Sequence, residues 1–543
     1  MFSPLVNIIN DIALGPQRRE VKRYLSRSTR DSVLGDLGKV LTPQIRGRGT
    51  LQTTFDKHCI EDSSSRQKYW TEESFFSHIR GTHSVGAISD ATIALLWKSF
   101  YFYAYHPFPL DLDQHAKVDF DAFIRATLLT VSQCDKLLGT RELDWYWRQN
   151  ATFFRKASFA RIFRSIAVLP DHTSSKQQKV DMTSSLSDTM DALVMIGPQF
   201  MHAMPLEPQL ESVARKLFAE GPPLAEGQVV RREDLSALIR LLLRLRLEER
   251  RWGTRCHFGN LVEAGPRDED LTESLINALT GDDSGQMITF QQLAGAIDLI
   301  PNLLWRFQQL WVVLFQPLDA IDMTKLQANE LGLSNIGGIV SLFVPPIDVN
   351  SDRITSFNQR DTRLTLEAAT QVSSDSLDMS MSRLNGGISD YSSAYVVIFT
   401  TDADTSNTVI GAFFPIPSGT THMLFQIQPR FRILRWEKAE IPRVDLIKAD
   451  AKASLSDITT NEVSGPTGNA PYWIGNSLEQ GAGLRVDPNK ETVTLTNTIG
   501  GCYTEKPSVG GKGNTGENWD VTIQQARMHI FTLAGLRMAD DMF

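Results

Sequence analysis

The chain has 543 residues but little cysteine, and its four cysteines lie far apart. Cys59, Cys134, Cys256 and Cys502 form no Cys-x-x-Cys motif and no cluster with histidine. This spacing excludes a disulfide framework and a zinc module, and it favours a reducing compartment. A chain of this length is expected to form two or three domains, each able to bury a core of its own.

Uninterrupted apolar runs of membrane-spanning length are missing as well. The longest apolar stretch, Ile300–Leu318, contains Arg306, Gln308 and Gln309 near its middle. Three polar side chains would be costly in the centre of a bilayer, so the stretch predicts a buried core helix. Residues 1–15 have no basic segment, no small-residue cleavage site and no Gly at position 2. We therefore expect no signal peptide, no N-myristoylation, and a soluble, cytoplasmic protein.

An excess of positive charge is also absent, since the net charge is −8. This value argues against a general nucleic-acid-binding protein, and we expect no direct contact with nucleic acid. Arg18–Arg30 (RREVKRYLSRSTR) is a local exception. It predicts a solvated helix followed by a loosely ordered segment, and an arm that contacts an acidic lipid surface or an acidic partner is the alternative. Residues 51–70 are polar and contain several serines, so residues 1–70 are interpreted as a basic segment and a linker.

Residues 71–325 carry apolar residues three and four positions apart, which predicts an all-α region. Thr71 and Ser89 each precede acidic residues at the start of such a segment, as helix caps do. Arg231–Trp252 places arginines, among them Arg240 and Arg244, between leucines. It predicts an ordinary bundle helix with its leucines buried. A basic amphipathic surface for a membrane or an acidic partner is the alternative.

Two loops of this region have the residue rhythm of an EF-hand calcium loop. In the first, Asp111 and Asp113 take positions 1 and 3 and Val118 takes the apolar position 8. A calcium loop also needs a Gly at position 6 and a bidentate carboxylate at position 12. This chain has Ala116 and Ala122 there. The first loop therefore predicts a helix-loop-helix shape without the ion.

The second loop follows residue 280 and allows two alignments. If Gly281 opens the loop, Ile288 takes position 8 and Gln292 takes position 12. If Gly285 takes position 6 instead, Met287 and Gln291 take those positions. A neutral amide cannot replace the bidentate carboxylate in either alignment. We therefore predict that neither loop binds calcium.

Short runs rich in Val, Ile and Phe fill residues 395–436: YVVIFT, VIGAFF, HMLFQIQ and FRILRW. Pro, Gly, Asp, Asn or Ser separates them, which is typical of consecutive antiparallel strands. Met423, Phe425 and Ile427 alternate with Leu424, Gln426 and Gln428. One face of this strand is therefore strictly apolar, and it predicts a second layer packed upon it. Residues 376–384 predict a short helix that buries Leu377, Met381 and Leu384.

These strands resemble the hydrophobic skeleton of the TLDc domain. The stretch from Tyr472 to Asn476 and Gly481–Asp487 (GAGLRVD) are similar to the glycine-rich strand of that domain, and Leu331–Pro346 resembles its entry helix. Degenerate EF-hand-like helices in front of a TLDc domain resemble the fungal restriction-of-telomere-capping family. The resemblance implies an α+β protein with an EF-hand-like helical region over 71–325 and a TLDc domain over 326–543, an antiparallel β-sandwich with flanking helices.

The resemblance also implies a function. TLDc proteins modulate the assembly of the vacuolar proton-pumping ATPase, so this ATPase is the expected partner, with a peripheral location at the vacuolar membrane. Oxidative-stress resistance and a telomere-capping association are implied in the same way. Residues Met528–Phe531 depart from the family, whose closing strand reads roughly Glu-Val-Trp-Gly. The acidic group of that strand is lost here.

Individual polar residues give no catalytic set. Asp487 is expected to pair with Arg485 or cap the following turn, and His529 is expected to be a structural histidine. Cys502 has no nearby histidine in the sequence, and Gly511–Gly516 lacks the strand and helix of a dinucleotide-binding motif. The segment from Asp402 to Asn407 predicts a hairpin turn. We predict no catalytic, cofactor-binding or metal-binding residue; an oxidative-stress enzyme and a lipid-surface adaptor are the alternative functions.

Overall fold

The computed structural model describes residues 3–41, 48–84, 86–110, 116–131, 151–168, 182–198, 205–219, 228–252, 256–265, 267–281, 285–295, 297–316, 334–344, 370–373, 377, 380, 381, 384, 394–401, 407–415, 422–436, 471–474, 483–498, 503–505 and 518–533. Helices dominate the described part up to residue 344, and strands dominate the part that follows. All strand pairs are antiparallel. The protein is therefore α+β.

The helices are α1 (Ser3–Arg27), α2 (Arg30–Leu41), α3 (Arg48–His58), α4 (Glu72–Thr82), α5 (Asp90–Ala104), α6 (Phe120–Val131), α7 (Ala151–Ile166), α8 (Met182–Ile196), α9 (Glu207–Ala219), α10 (Arg232–Arg244), α11 (Asp268–Thr280), α12 (Phe290–Ala294), α13 (Leu303–Phe315) and α14 (Ser334–Phe343). The predicted caps are confirmed for two of them. Thr71 accepts a hydrogen bond from the Ser74 N–H at the start of α4, and Ser89 accepts one from the Thr92 N–H at the start of α5.

The strands are β1 (Ile60–Glu61), β2 (Lys68–Trp70), β3 (Val118–Asp119), β4 (Val229–Arg231), β5 (Leu245–Trp252), β6 (Cys256–Leu261), β7 (Met287–Thr289), β8 (Thr370–Ser373), β9 (Ala394–Thr401), β10 (Val409–Phe414), β11 (Met423–Gln428), β12 (Arg432–Trp436), β13 (Tyr472–Ile474), β14 (Gly483–Asp487), β15 (Thr492–Asn497), β16 (Tyr503–Glu505), β17 (Trp519–Ile523) and β18 (Ala526–Leu533).

The buried core helix predicted from Ile300–Leu318 is confirmed as α13. Its side chains are buried on all sides, including Arg306, which is 0% exposed. The Arg306 guanidinium donates to the carbonyls of Leu242 and Leu245, at the end of α10. Leu242 lies in the last turn of α10, where carbonyls have no partner within the helix, and Leu245 directly follows that turn, so the buried charge stabilises the helix terminus. None of the described helices combines the length and apolar content that crossing a membrane requires.

The interpretation of residues 51–70 as a linker is wrong. Most of α3 and both strands β1 and β2 lie there. Leu51 and Phe55 are each 1% exposed, and the Trp70 indole N–H donates to the Phe55 carbonyl at 2.9 Å. Two apolar residues four positions apart are enough to bury a short helix, although they are too few to produce a clear period in the sequence.

The description of residues 71–325 as all-α is also wrong, because short antiparallel strands connect its helices. The segment Arg231–Trp252 is helical only to Arg244 and continues as β5, which pairs with β6. Leu245 and Leu247 are buried and alternate with Arg246. An alternation of this kind is typical of a strand. It was not recognised because the leucines of the preceding helix continue into it.

The predicted meander of residues 395–436 is confirmed as β9, β10, β11 and β12. They lie in a seven-stranded sheet with the order β16-β12-β11-β10-β9-β18-β8. A second sheet has the order β13-β14-β15-β17. Residues 519–533 (WDVTIQQARMHIFTL) are divided between the two sheets, since β17 and β18 are separated by a turn in which Gln525 has φ 50°.

The two sheets face each other across a core of apolar side chains. Leu424 and Ile410 contribute from the larger sheet, and Leu484 and Leu495 contribute from the smaller one. Leu377, Met381 and Leu384 are helical and buried in the same core, as predicted. The strands therefore form an antiparallel β-sandwich with a helical segment at its core.

The opposite face of the larger sheet packs on helices. Met423, Phe425 and Ile427 belong to one continuous core with residues of α10 to α14. Phe343 of α14 contacts Phe425, with ring centroids 5.0 Å apart. The Ser274 hydroxyl of α11 donates to the Ile427 carbonyl at 2.8 Å. The layer predicted over the apolar face of β11 is therefore helical, and the helical region and the sandwich form one body.

Gly411 in β10 is the glycine of the larger sheet with the tightest surroundings. A Cβ added there would lie 2.3 Å from the Val397 carbonyl oxygen and 2.5 Å from the Phe425 ring. We expect Gly411→Ala to lower the free energy of unfolding by about 2 to 3 kcal/mol, since overpacked cores cost this much. In β14, a Cβ at Gly483 would meet Ile474 at an ordinary 3.4 Å. Gly483→Ala is the control, and urea unfolding showing equal losses for both variants would contradict the packing described.

Candidate functional site

The first candidate calcium loop leads into the ribbon β2-β3. Val118 is fully buried and pairs with Trp70, as its assignment to position 8 predicts. The Asp119 carboxylate accepts from the Ala122 N–H at 2.8 Å and so caps α6. Ala122 therefore lies where a calcium loop has its bidentate carboxylate, and a methyl group cannot bind the ion. Asp111 and Asp113 lie outside the described residues.

The second candidate loop leads into the ribbon β4-β7. Ile288 is fully buried and pairs with Val230, whereas Met287 is 42% exposed. The burial of Ile288 fits an apolar position 8 and so favours the alignment that Gly281 opens, whereas the exposure of Met287 argues against the alignment with Gly285 at position 6. The Gln292 side chain accepts from the Thr289 N–H at 2.8 Å in a capping box. The residue at position 12 is thus bonded to its own helix start; residues 282–284 lie outside the described residues.

The two loops predicted from the sequence are not paired with each other. The strand at the end of each loop, β3 or β7, pairs with a strand that the sequence analysis missed. These missed strands are Lys68–Trp70 and Val229–Arg231. Both missed strands directly precede a helix, and this position is the feature of the sequence that could have indicated them. In the part of the chain that the structure describes, no group of three or more His, Cys, Asp and Glu side chains is placed to hold a metal ion.

The arginines of α10 and β5 mostly stabilise the fold. The Arg244 side chain donates to the Val262 carbonyl at 2.8 Å, and the Arg246 side chain donates to the Leu243 carbonyl at 2.8 Å. Arg240 is partly exposed and lies 3.9 Å from the Glu269 carboxylate. These contacts support the bundle interpretation of Arg231–Arg244 rather than a basic binding surface.

Asp487, the candidate acid of the glycine-rich strand, is buried at the end of β14. Its carboxylate accepts from the Lys490 N–H at 3.3 Å and lies 3.7 Å from the Arg485 guanidinium. Both expected contacts are therefore present. They hold the turn between β14 and β15.

His529 and its neighbours lie in β18, between β9 and β8. Its Nε2 and the Thr400 hydroxyl are 3.2 Å apart across the sheet. Met528 and Ile530 face the core between the sheets, and Phe531 faces the helices. The predicted strand is confirmed, and its apolar side chains pack on both sides.

A buried histidine and tyrosine form a pair that the sequence analysis missed. The Tyr503 hydroxyl of β16 and Nδ1 of His422 are 2.7 Å apart. Burial lowers the pKa of His422 to about 3, so its ring is neutral near pH 7. The pair lies beside Phe414 and joins β16 to the residue that directly precedes β11. It was not found because His422 and Tyr503 are 81 residues apart.

A buried ionic cluster, also missed, joins α7 to α8. The Arg161 guanidinium donates to the Asp188 carboxylate at 2.9 Å, and Arg164 contacts the same carboxylate. Burial would raise the pKa of Asp188, but the two guanidinium groups hold it well below its usual range. Asp191 lies 3.8 Å from Arg161. All of these charges are compensated within the cluster, which gives it a structural role.

The outward face of the smaller sheet is polar, with Thr522 exposed and the other side chains of its central row half-buried. The register aligns Trp473, Arg485, Thr494 and Thr522 in one row across the four strands. Their neighbours along each strand, such as Leu484 and Leu495, point into the core instead. The row is a flat polar surface with one aromatic and one cationic side chain, and side chains of this kind are common in protein interfaces.

Several candidate residues lie outside the described residues. These are Cys502, the stretch from Gly511 to Gly516, and Asp402 to Ser406. Asn407, at the end of the predicted hairpin turn, is described, and its side-chain amide donates to Asp270 of α11 at 3.1 Å. This residue therefore connects the sandwich to the helices.

Comparison with models of known protein families and with the sequences of characterised proteins gave no match.

The missing carboxylates lead to a prediction about calcium. We expect a calorimetric titration of the whole protein with calcium to show no binding at micromolar concentrations, because Ala122 and Gln292 replace the position-12 ligand. Gln292→Glu restores a carboxylate at position 12 of the second loop and therefore tests that loop alone. Micromolar binding by the unaltered protein would contradict the prediction.

Proposed function

We propose that this chain is a TLDc-type regulatory protein that acts by binding, and that its partner is the vacuolar proton-pumping ATPase. The observation that carries the proposal is the position of the resembling motifs. The IGAFF motif forms part of β10 in the larger sheet, and GAGLRVD ends as β14 in the smaller one. Both motifs thus contribute strands to one sandwich, as the resemblance implies.

The helical region supports the same family. Two pairs of helix-loop-helix units are joined by the ribbons β2-β3 and β4-β7. Short strands paired between two loops are expected of EF-hand pairs, and Val118 and Ile288 occupy the apolar positions of such strands. An EF-hand-like scaffold that has lost its ligands would act through its shape rather than through calcium.

Among the described residues, the smaller sheet offers its outward face to a partner. The outward face of the larger sheet is covered by α11 and α14. The outward face of the smaller sheet presents the row Trp473, Arg485, Thr494 and Thr522. We therefore place the contact with the ATPase on this second face. The roles in oxidative-stress resistance and telomere capping that the resemblance implies would follow from such regulation.

The test adds the purified protein to isolated vacuolar membranes, with ATP hydrolysis and release of the soluble sector of the ATPase measured in the same samples. We expect dose-dependent binding and a change in at least one of the two. Thr522→Arg places a bulky cation on the exposed end of the row and should weaken binding about tenfold or more, as disruptive changes within an interface do.

Ser63→Arg is the matched control, because it adds the same charge at an exposed loop position of the helical region. It should bind as the unaltered protein does. If the unaltered protein does not bind the membranes and changes neither ATP hydrolysis nor release of the soluble sector, the proposed partner is wrong. If both variants bind equally well, the proposed face is wrong.

A further inference from the structure

Helix α1 is not a loose arm, because one of its faces is held by the helical region. Val21 and Leu25 are buried in a core with residues of α8 and α9, and Tyr24 packs beside them. Val33 of α2 joins the same core. The orientation of the second half of α1 is therefore fixed, and so is the direction in which its opposite face points.

That opposite face is strongly basic. Arg19, Lys22, Arg23 and Arg27 are all exposed, and their spacing of three and four positions places them along one side of a helix. Within the described residues, no ion pair is found for these four side chains. Arg18 is exposed on the same side. Five cations along less than three turns form the basic face of α1.

Few acidic groups lie on α1 and on the helices packed beside it. Glu20 of α1 is exposed on the edge of the basic face. On α9, which packs against α1, Glu207 is exposed, and the partly exposed Glu211 is paired with Arg215 at 2.5 Å. On α2, Asp31 is exposed, and Asp36 is paired with Lys39 at 2.8 Å. The basic face therefore retains a positive charge although the whole chain has a net charge of −8.

We propose that the basic face of α1 binds an anionic lipid surface. The sequence before it supplies the second element that such binding requires. Residues 1–15 (MFSPLVNIINDIALG) contain a single charged side chain, Asp11, among many apolar residues. An apolar stretch next to clustered cations is the pattern of helices that lie at membrane interfaces, where cations contact headgroups and apolar side chains enter the acyl boundary.

This pattern favours lipid over an acidic protein. An acidic protein would be attracted by the cations alone, whereas the apolar stretch beside them gains free energy from entering the acyl boundary. The net negative charge of the chain would be repelled by an anionic bilayer at other orientations, so binding through α1 also orients the molecule. Lipid binding by α1 does not require the proposed ATPase partner.

The experiment is sedimentation of the full chain with phosphatidylcholine vesicles that contain or lack phosphatidylserine. We expect binding to the vesicles that contain phosphatidylserine, and a steep decrease when the ionic strength is raised, because exposed charges are screened over about 8 to 10 Å at physiological salt. Lys22→Gln with Arg23→Gln should lower the partition coefficient about 25-fold, since each cation near an anionic surface contributes about fivefold.

Lys57→Gln with Lys490→Gln is the matched control, because it removes two exposed cations elsewhere and changes the net charge equally. It should leave the partition coefficient within about twofold, because cations far from the surface are screened. Absence of binding to the anionic vesicles overturns the proposal. Equal losses in the two double variants overturn it too, as does equal binding to vesicles without phosphatidylserine. If the chain binds intact vacuolar membranes but binds neither membranes stripped of protein nor the vesicles, an acidic protein is the partner instead.

Discussion

The burial of one apolar face of the larger sheet beneath α11 and α14 is the contact on which the rest of the structure depends. Phe425 lies against Phe343, and the Ser274 hydroxyl donates to the Ile427 carbonyl. On its other side α14 approaches α10 closely, since a Cβ at Gly338 would lie 2.1 Å from the Leu243 carbonyl oxygen. Burying a phenylalanine side chain stabilises a fold by about 1.5 to 3 kcal/mol. Such residues therefore join the helical region to the sandwich, and they leave the outer face of the smaller sheet partly exposed.

Elements with strong local periods could be predicted from the sequence. The meander from Tyr395 to Trp436, the buried helix around Arg306 and the helix that contains Leu377 are all present. Each is specified by its own residues, because turn-forming residues delimit the strands and apolar spacing defines the helices. Short elements were missed because their stability comes from pairing with distant residues. Trp70 meets Val118, and Val230 meets Ile288, across long stretches of chain.

The candidate sites show the same division. The prediction that neither loop binds calcium rests on Ala122 and Gln292 alone, because one missing bidentate ligand decides it. The turn contacts of Asp487 were predictable as well, since its partners lie within three residues. The pairing of His422 with Tyr503 and the polar row through Arg485 could not be predicted, because the register between strands brings their members together. The basic face of α1 was visible as composition, but only its buried side shows which way it points.

The most direct test of this architecture is hydrogen exchange of the backbone amides in Phe343→Ala and in the unaltered protein. Phe343 contacts Phe425 and Phe431 from α14, so its loss should weaken both sides of the contact. We expect the amides of β10, β11 and β12 to lose protection together with those of α10. Loss of protection in one of these regions alone would show that the helices and the sandwich are stable independently, and would contradict the joining of the two regions into one body.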